Sequence, residues 1–311
     1  MAVLSQVTHF LLGGLVYFNI LMVKSEISGL AVIPHGDFAY DPSIIDYANG
    51  SLWVHIGAKM AGKYIDSLNP ELIVMLSPHN VALTNDFAIM QNSQGYGFAE
   101  IGQDLHNTSI EPYKIYNGVH FGMRMAQDLL ESLQLQGLNV SGITSFADSE
   151  PQAIRWGEII PLAFLSQTTL KNAKFILISH PSRRYDESKT MVPELLELGN
   201  SLFDHFDNIQ EKVVFIGSSD LAHTHLASGP YGYSEAAKPF DKACGKWASN
   251  PETQASSLLI DAANLVDDAL SCGFPSLVCL HGIIENDFGR WNPTLYANEH
   301  PTYYGMMVST Y

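Results

Sequence analysis

The sequence predicts a single three-layer α/β/α domain built around a central, mostly parallel sheet. Three features point there. Short, continuous apolar runs recur along the chain, longer amphipathic stretches alternate with them, and several histidines follow the apolar runs directly.

The apolar runs fall at 30–33, 72–76, 87–90, 175–178, 213–216, 277–280 and 306–308, each bounded by turn residues. Continuity rather than alternation says that such strands are covered on both faces. Amphipathic stretches, clearest at 51–68, 119–135, 151–165, 191–206, 234–248 and 253–270, read as the helices between them. Strand and helix in alternation give a parallel sheet with helices on both sides. In sheets of that kind, ligands bind beyond the carboxyl ends of the strands, where loops converge on a rigid platform.

At 311 residues and 46% hydrophobic content the chain can bury a large core, and no linker or charge block divides it. With 16 basic against 32 acidic residues, the net charge of -16 repels phosphate backbones, so nucleic acid is not an expected partner. Three cysteines, Cys244, Cys272 and Cys279, are too few for a disulfide framework and suit buried packing or a metal site. The apolar run at 10–23, within a leader assigned to residues 1–28, has the length of a signal-peptide core and is short for a membrane span. No basic segment precedes it, so cytoplasmic and secretory locations both stay open. Sequons at Asn49, Asn107 and Asn139 do not decide between them.

The histidines carry the chemical signal: His35, His79, His180, His223 and His281 each lie at or just beyond the end of an apolar run. Neutral imidazoles converging at one sheet edge make a site for iron, zinc or another borderline metal, without naming it. Pro34 and Pro78 restrict the backbone just before His35 and His79, which suits side chains that must leave the strand in a fixed direction. No G-x-S-x-G elbow follows a strand, and no dinucleotide or Walker glycine pattern occurs, so serine hydrolysis and nucleotide use are disfavoured.

The segments PHGDFAYDP at 34–42, SPHN at 77–80, GSSDLAHTH at 217–225, GPYGY at 229–233 and HPTYYG at 300–305 together resemble the class III, LigB-type extradiol ring-cleavage dioxygenases. The protein B component of AmmeMemoRadiSam systems and the Memo proteins are the branches most similar. The resemblance implies an extradiol dioxygenase-type domain over 29–311 that binds Fe(II), or alternatively zinc, and acts on a small catechol or aminophenol with O₂. It places His35 and His79 on the metal and His223 as the base that takes a proton from the substrate hydroxyl. Ser219 and Asp220 are candidates to orient that base.

Two departures matter. Ring-cleaving members carry a glutamate as third ligand, whereas this chain reads DDALSCGFPSLV at 267–278; Memo-type relatives have a cysteine in a similar Cys-Gly context, so the resemblance implies Cys272 as the ligand, with Asp267, Asp268 and Glu285 as substitutes. In AIRWGEIIPL at 153–162, Arg155 and Trp156 replace the family's Asp-His pair, which removes its second acid/base group. Trp156, His180 and His281 are therefore assigned to the substrate pocket, and Arg183 and Arg184 are candidates to hold a substrate carboxylate. Two functions stay open: ring cleavage, and a Memo-like metalloprotein that binds a metal, peptide or small molecule in the same cleft. Family members commonly pair, so a homodimer is left open.

Overall fold

The computed structural model describes residues 27–44, 50–102, 111–207 and 209–311. The apolar run 10–23, Asn49 and Asn107 lie outside them. Among the described residues, no helix is long and apolar enough to cross a membrane.

In chain order the strands are β1 (Ile27–Ile33), β2 (Leu72–Ser77), β3 (Phe87–Met90), β4 (Gln94–Ile101), β5 (Tyr113–Phe121), β6 (Val140–Ile143), β7 (Gln152–Ile154), β8 (Lys174–Ser179), β9 (Val213–Ser218), β10 (Thr294–Glu299) and β11 (Met306–Thr310). The helices are α1 (Asp37–Tyr40), α2 (Gly50–Leu68), α3 (Met123–Leu135), α4 (Trp156–Leu162), α5 (Gln167–Asn172), α6 (Arg184–Glu187), α7 (Val192–Phe206), α8 (Ala237–Ser249), α9 (Val266–Ala269) and α10 (Phe274–Ile284). A π-helical turn at Ser257–Ala262 and a 3-10 segment at Glu285–Arg290 complete them.

The strands form one mixed, mostly parallel sheet in the order β10-β11-β1-β9-β2-β8-β5-β4-β7, with β3 pairing β8 and β6. Its centre, β1-β9-β2-β8, is wholly parallel. Antiparallel pairs join β11 to β1 and β10, β3 to β8, and β4 to β5.

Strand parity divides the core into two halves, since successive side chains point to opposite faces. Leu30, Val32, Val74, Ile176 and Phe215 pack with α3, α7, α8 and α10, whereas Ala31, Ile33, Met75, Leu177 and Ile216 pack with α2, α4 and α5. Every residue of β2, β9 and β11 is buried. The three-layer architecture expected from uninterrupted apolar runs is the one observed.

One strand expectation fails: 277–280 is not a strand but part of α10, every residue of which is buried. A helix covered on all sides shows no polar stripe, so its apolar run resembles a buried strand. His281 therefore leaves a helix rather than a strand end. The helices expected at 119–135 and 151–165 each begin with a strand, β5 ending at Phe121 and β7 covering Gln152–Ile154.

Helices α7 and α10 approach so closely that a Cβ added to Gly199 would lie 2.2 Å from the Cys279 carbonyl oxygen and 2.8 Å from Gly282 Cα. Gly199→Ala should therefore cost about 1–3 kcal/mol of stability in urea unfolding, as overpacking does. Gly289→Ala, whose nearest neighbour would be 3.7 Å away, should leave the midpoint almost unchanged.

Candidate metal centre

Parallel register puts the carboxyl ends of the central strands side by side. Ile33 pairs with Ser218 and Leu76 with Gly217, so the segments after β1, β2 and β9 emerge at one edge. His35 and His79 leave that edge, and Cys272, just before α10, meets them there. One ligand atom from each of the three lies within 4.8 Å of the others. The rings of His35 and His79 meet edge to face, 4.6 Å apart. Cys272 Sγ is 3.3 Å and Asp220 Oδ2 3.4 Å from His35 Nε2.

The hydrogen bonds of Ser218 decide which nitrogen of His35 is available. The Ser218 hydroxyl donates to the Gly157 carbonyl, so its oxygen accepts from His35 Nδ1–H at 2.9 Å. That leaves the Nε2 lone pair for a cation, in the way outer hydrogen bonds commonly fix a metal-binding imidazole. His79 is placed from below. Its N–H donates to Ser77 Oγ at 3.3 Å, and the Ser77 hydroxyl donates to the buried Glu158 carboxylate. Gly157 lets α4 approach, since a Cβ there would lie 2.8 Å from His79 Cβ.

The group fits a metal dication on its own chemistry. Burial pushes the Asp220 carboxyl up to about 8, raises the Cys272 thiol and holds His79 at about 3, with His35 also well below its ordinary value. Each shift expresses the cost of burying a charged form without compensation, and a dication would offset that cost for thiolate and carboxylate while requiring neutral imidazoles.

His35, His79 and Asp220 line a cavity of about 530 Å³, and Cys272 lies behind His35. Trp156, Phe98, Tyr231, Tyr303 and Tyr304 give it aromatic walls, and His223 lines it beside Asp37, Glu100 and Arg155. The His223 ring stacks on Tyr304 with centroids 5.7 Å apart. Its Nδ1 is 2.9 Å from the Leu221 carbonyl, which can only accept, so neutral His223 carries its proton on that nitrogen, and the Leu270 backbone is a second hydrogen-bonding neighbour of the ring. Burial lowers its pKa to about 4, so the neutral form prevails near pH 7.

The structure brings His35, His79, Cys272, His223 and Trp156 together and leaves other candidates out. His180 is buried, 2.8 Å from Ser276 Oγ and packed edge to face against Phe87. His281 accepts the Trp247 indole N–H at 3.1 Å. Neither lines the cavity. Ser219 and Asp220 do not orient His223: Ser219 Oγ faces the Gly273 carbonyl at 3.5 Å, and Asp220 holds the His35 N–H at 3.1 Å. Arg183 pairs with Glu194, and Arg184 donates to the Pro181 carbonyl at 3.0 Å and to that of Pro78. Asp267 and Asp268 lie in α9, and Glu285 sits 3.9 Å from His281, so Cys272 is the candidate whose side chain joins the histidines.

Sequence reasoning missed the tyrosine wall and the β4 residues Phe98 and Glu100. Tyr231, Tyr303 and Tyr304 fall inside the GPYGY and HPTYYG segments, so their position was marked although their role was not.

With this geometry in hand, comparison with known proteins identifies the class. The profile described as "Catalytic LigB subunit of aromatic ring-opening dioxygenase" matches residues 51–309, and the chain belongs to that family. The match includes His79, His223 and Cys272 and begins after His35. Protein CA_C1420 of Clostridium acetobutylicum is 24% identical over 244 residues, covering 76% of this chain and 48% of that protein. The chain thus spans about half the length of this curated relative. Among solved structures, the uncharacterized protein JW3007 of Escherichia coli K12 has a TM-score of 0.54, over 91% of this chain and 99% of that one, at 15% identity. That likeness shows the shared fold.

His35→Ala and His79→Ala should each abolish stoichiometric metal binding, measured by elemental analysis of protein purified under argon. Ser218→Ala should keep the fold by circular dichroism but weaken metal affinity about 10- to 100-fold in a chelator competition, the usual effect of losing an orienting hydrogen bond.

Proposed function

We propose that this protein is an Fe(II)-dependent extradiol dioxygenase that cleaves a small catechol or aminophenol with O₂. His35, His79 and Cys272 would hold the iron. The observation that carries the reading is the convergence of this buried donor group with a neutral imidazole, His223, on one aromatic-walled cavity. When bound, iron supplies charge transfer between the chelated aromatic and O₂, which opens the ring beside a hydroxylated carbon.

The remaining work falls to side chains. The substrate hydroxyl must lose a proton to chelate as an anion, and His223, neutral and lining the cavity, would be the group that accepts it. Stacking on Tyr304 and the nearby Tyr231 ring, 5.8 Å from His223, keep that base in one orientation. Trp156, whose ring lies 5.2 Å from His79, supplies a flat surface for an aromatic substrate and narrows the access of water.

Two observations favour a second reading. A cysteine replaces the carboxylate among the ligands, and a tryptophan stands where the family has its second acid/base histidine. A thiolate suits zinc or copper and is itself open to oxidation, so a Memo-like protein that binds metal without consuming O₂ would use the same side chains.

Protein purified under argon and loaded with ferrous iron should consume O₂ when given catechol or 2-aminophenol. His223→Ala should keep its iron and lose about 10²–10⁴-fold in turnover, the range for a removed acid/base group. Tightly held zinc or copper, with no O₂ uptake after iron loading, would overturn the dioxygenase reading in favour of the second.

A further inference from the structure

Helix α2 turns an apolar stripe to solvent. Leu52, Ile56 and Met60 recur every fourth residue with Trp53 beside them, and the four are between 41 and 54% exposed. Exposed Lys59 and Lys63 share their side of the helix, while Val54, Ala58, Ala61 and Ile65 lie buried on the other. Asp66 is the only acidic residue of α2, on a chain that has 32, and its carboxylate accepts the Ser166 N–H at 3.1 Å and the Thr169 hydroxyl at 2.6 Å. Single exposed apolar side chains need no account, whereas four in one acid-free stripe do.

A cavity of about 380 Å³ opens on the lysine flank of this stripe. Lys59 and Lys63 line it together with Tyr40, Tyr113 and Phe164, and it shares no lining residue with the cavity beside the metal donors. Asp41, the carboxylate in the same lining, accepts the Tyr113 hydroxyl at 2.8 Å and the Ser43 N–H at 3.0 Å. Among the described residues neither lysine has a carboxylate within ion-pair distance. Unpaired ammonium groups, aromatic walls and an adjoining apolar stripe together complement a phospholipid surface, since lysine meets headgroup phosphate, indole sits at the boundary and aliphatic side chains reach the acyl region.

Charge separates the occupants such a face could have. A second copy would bring two lysines from each α2 into one interface with no carboxylate from either face to meet them. An anionic bilayer repels a chain of net charge -16, so an acid-free face bearing two lysines is the side by which this chain can approach one. The apolar run 10–23 precedes β1, and β1 enters the fold beside the carboxyl end of α2, where a Cβ on Gly29 would lie 2.7 Å from Leu68 Cδ1. We propose that the outer face of α2 docks on an anionic phospholipid surface, with Leu52, Trp53, Ile56 and Met60 at the acyl boundary and Lys59 and Lys63 on headgroup phosphates.

The test is sedimentation of the full chain with vesicles of phosphatidylcholine alone and of an equal mixture with phosphatidylglycerol. Wild type should partition onto the mixed vesicles and release as salt is raised. Lys59→Glu/Lys63→Glu should lower that partition about tenfold or more, as expected when two lysines leave a charged surface. Ile56→Gln/Met60→Gln should lower it as well, with circular dichroism unchanged because these side chains face solvent. Trp53→Phe should remove the blue shift in tryptophan emission that the mixed vesicles induce in wild type. Wild type that stays in the supernatant, partition that neither double variant lowers, or an emission shift that persists in Trp53→Phe would each overturn the proposal. So would a dimer that Ile56→Gln/Met60→Gln dissociates, which gives the face to a second copy, or inorganic phosphate that binds through the lysines in calorimetry while vesicles do not, which gives the cavity to a free anion.

Discussion

Parallel pairing of β1, β9, β2 and β8 is the constraint from which the site follows. Parallel strands share a direction, so their carboxyl ends emerge on one edge, and here the register sets Ile33 against Ser218 and Ser77 against Ser179. Residues far apart in the chain, such as His35 and His79, bring their rings within 4.6 Å because the strand ends beneath them are locked in line, and the turn before α10 sets Cys272 3.3 Å from His35. Helices on both faces keep that platform from sliding, since each strand presents alternate residues to a separate half of the core.

On this platform, hydrogen bonds to groups of fixed polarity assign the protons. A carbonyl can only accept, so Gly157 turns the Ser218 hydroxyl, which in turn makes His35 donate from Nδ1, and Leu221 does the same for His223. In the proposed reading the His35 Nε2 lone pair would serve a cation, while His223 would serve a substrate proton. Buried Glu158 extends this order to the opposite wall through Ser77 and the start of α4.

Much of this was legible in the sequence. Fully buried strands write themselves as unbroken apolar runs, and β2, β8 and β9 were readable to within a residue or two at each end. Strands with one exposed face, such as β4 and β5, mix tyrosine, glycine and charge, and gave no clear run. The all-buried α10 gave a run of the wrong kind, which carried His281 in among the pocket candidates. His35 and His79 were marked by proline punctuation and motif order, and Cys272 by a Cys-Gly context like that of the Memo-type relatives. Burial of His180 against Ser276 and the turning of Asp220 from His223 toward His35 depend on side-chain directions that no local pattern records.

Glu158 touches both walls of the cavity, through Ser77 beneath His79 on one side and the backbone of Arg155 on the other. A single carboxylate thus couples the histidine end of the pocket to its outer rim. Relatives that diverge in what they accept would therefore be expected to exchange side chains at 155 and 156 and to conserve the bend in the main chain that displays them. Transplanting that bend into another member of the fold would carry the placement of His79 with it, so the rim of the cavity and the imidazole at its floor would be inherited as one unit.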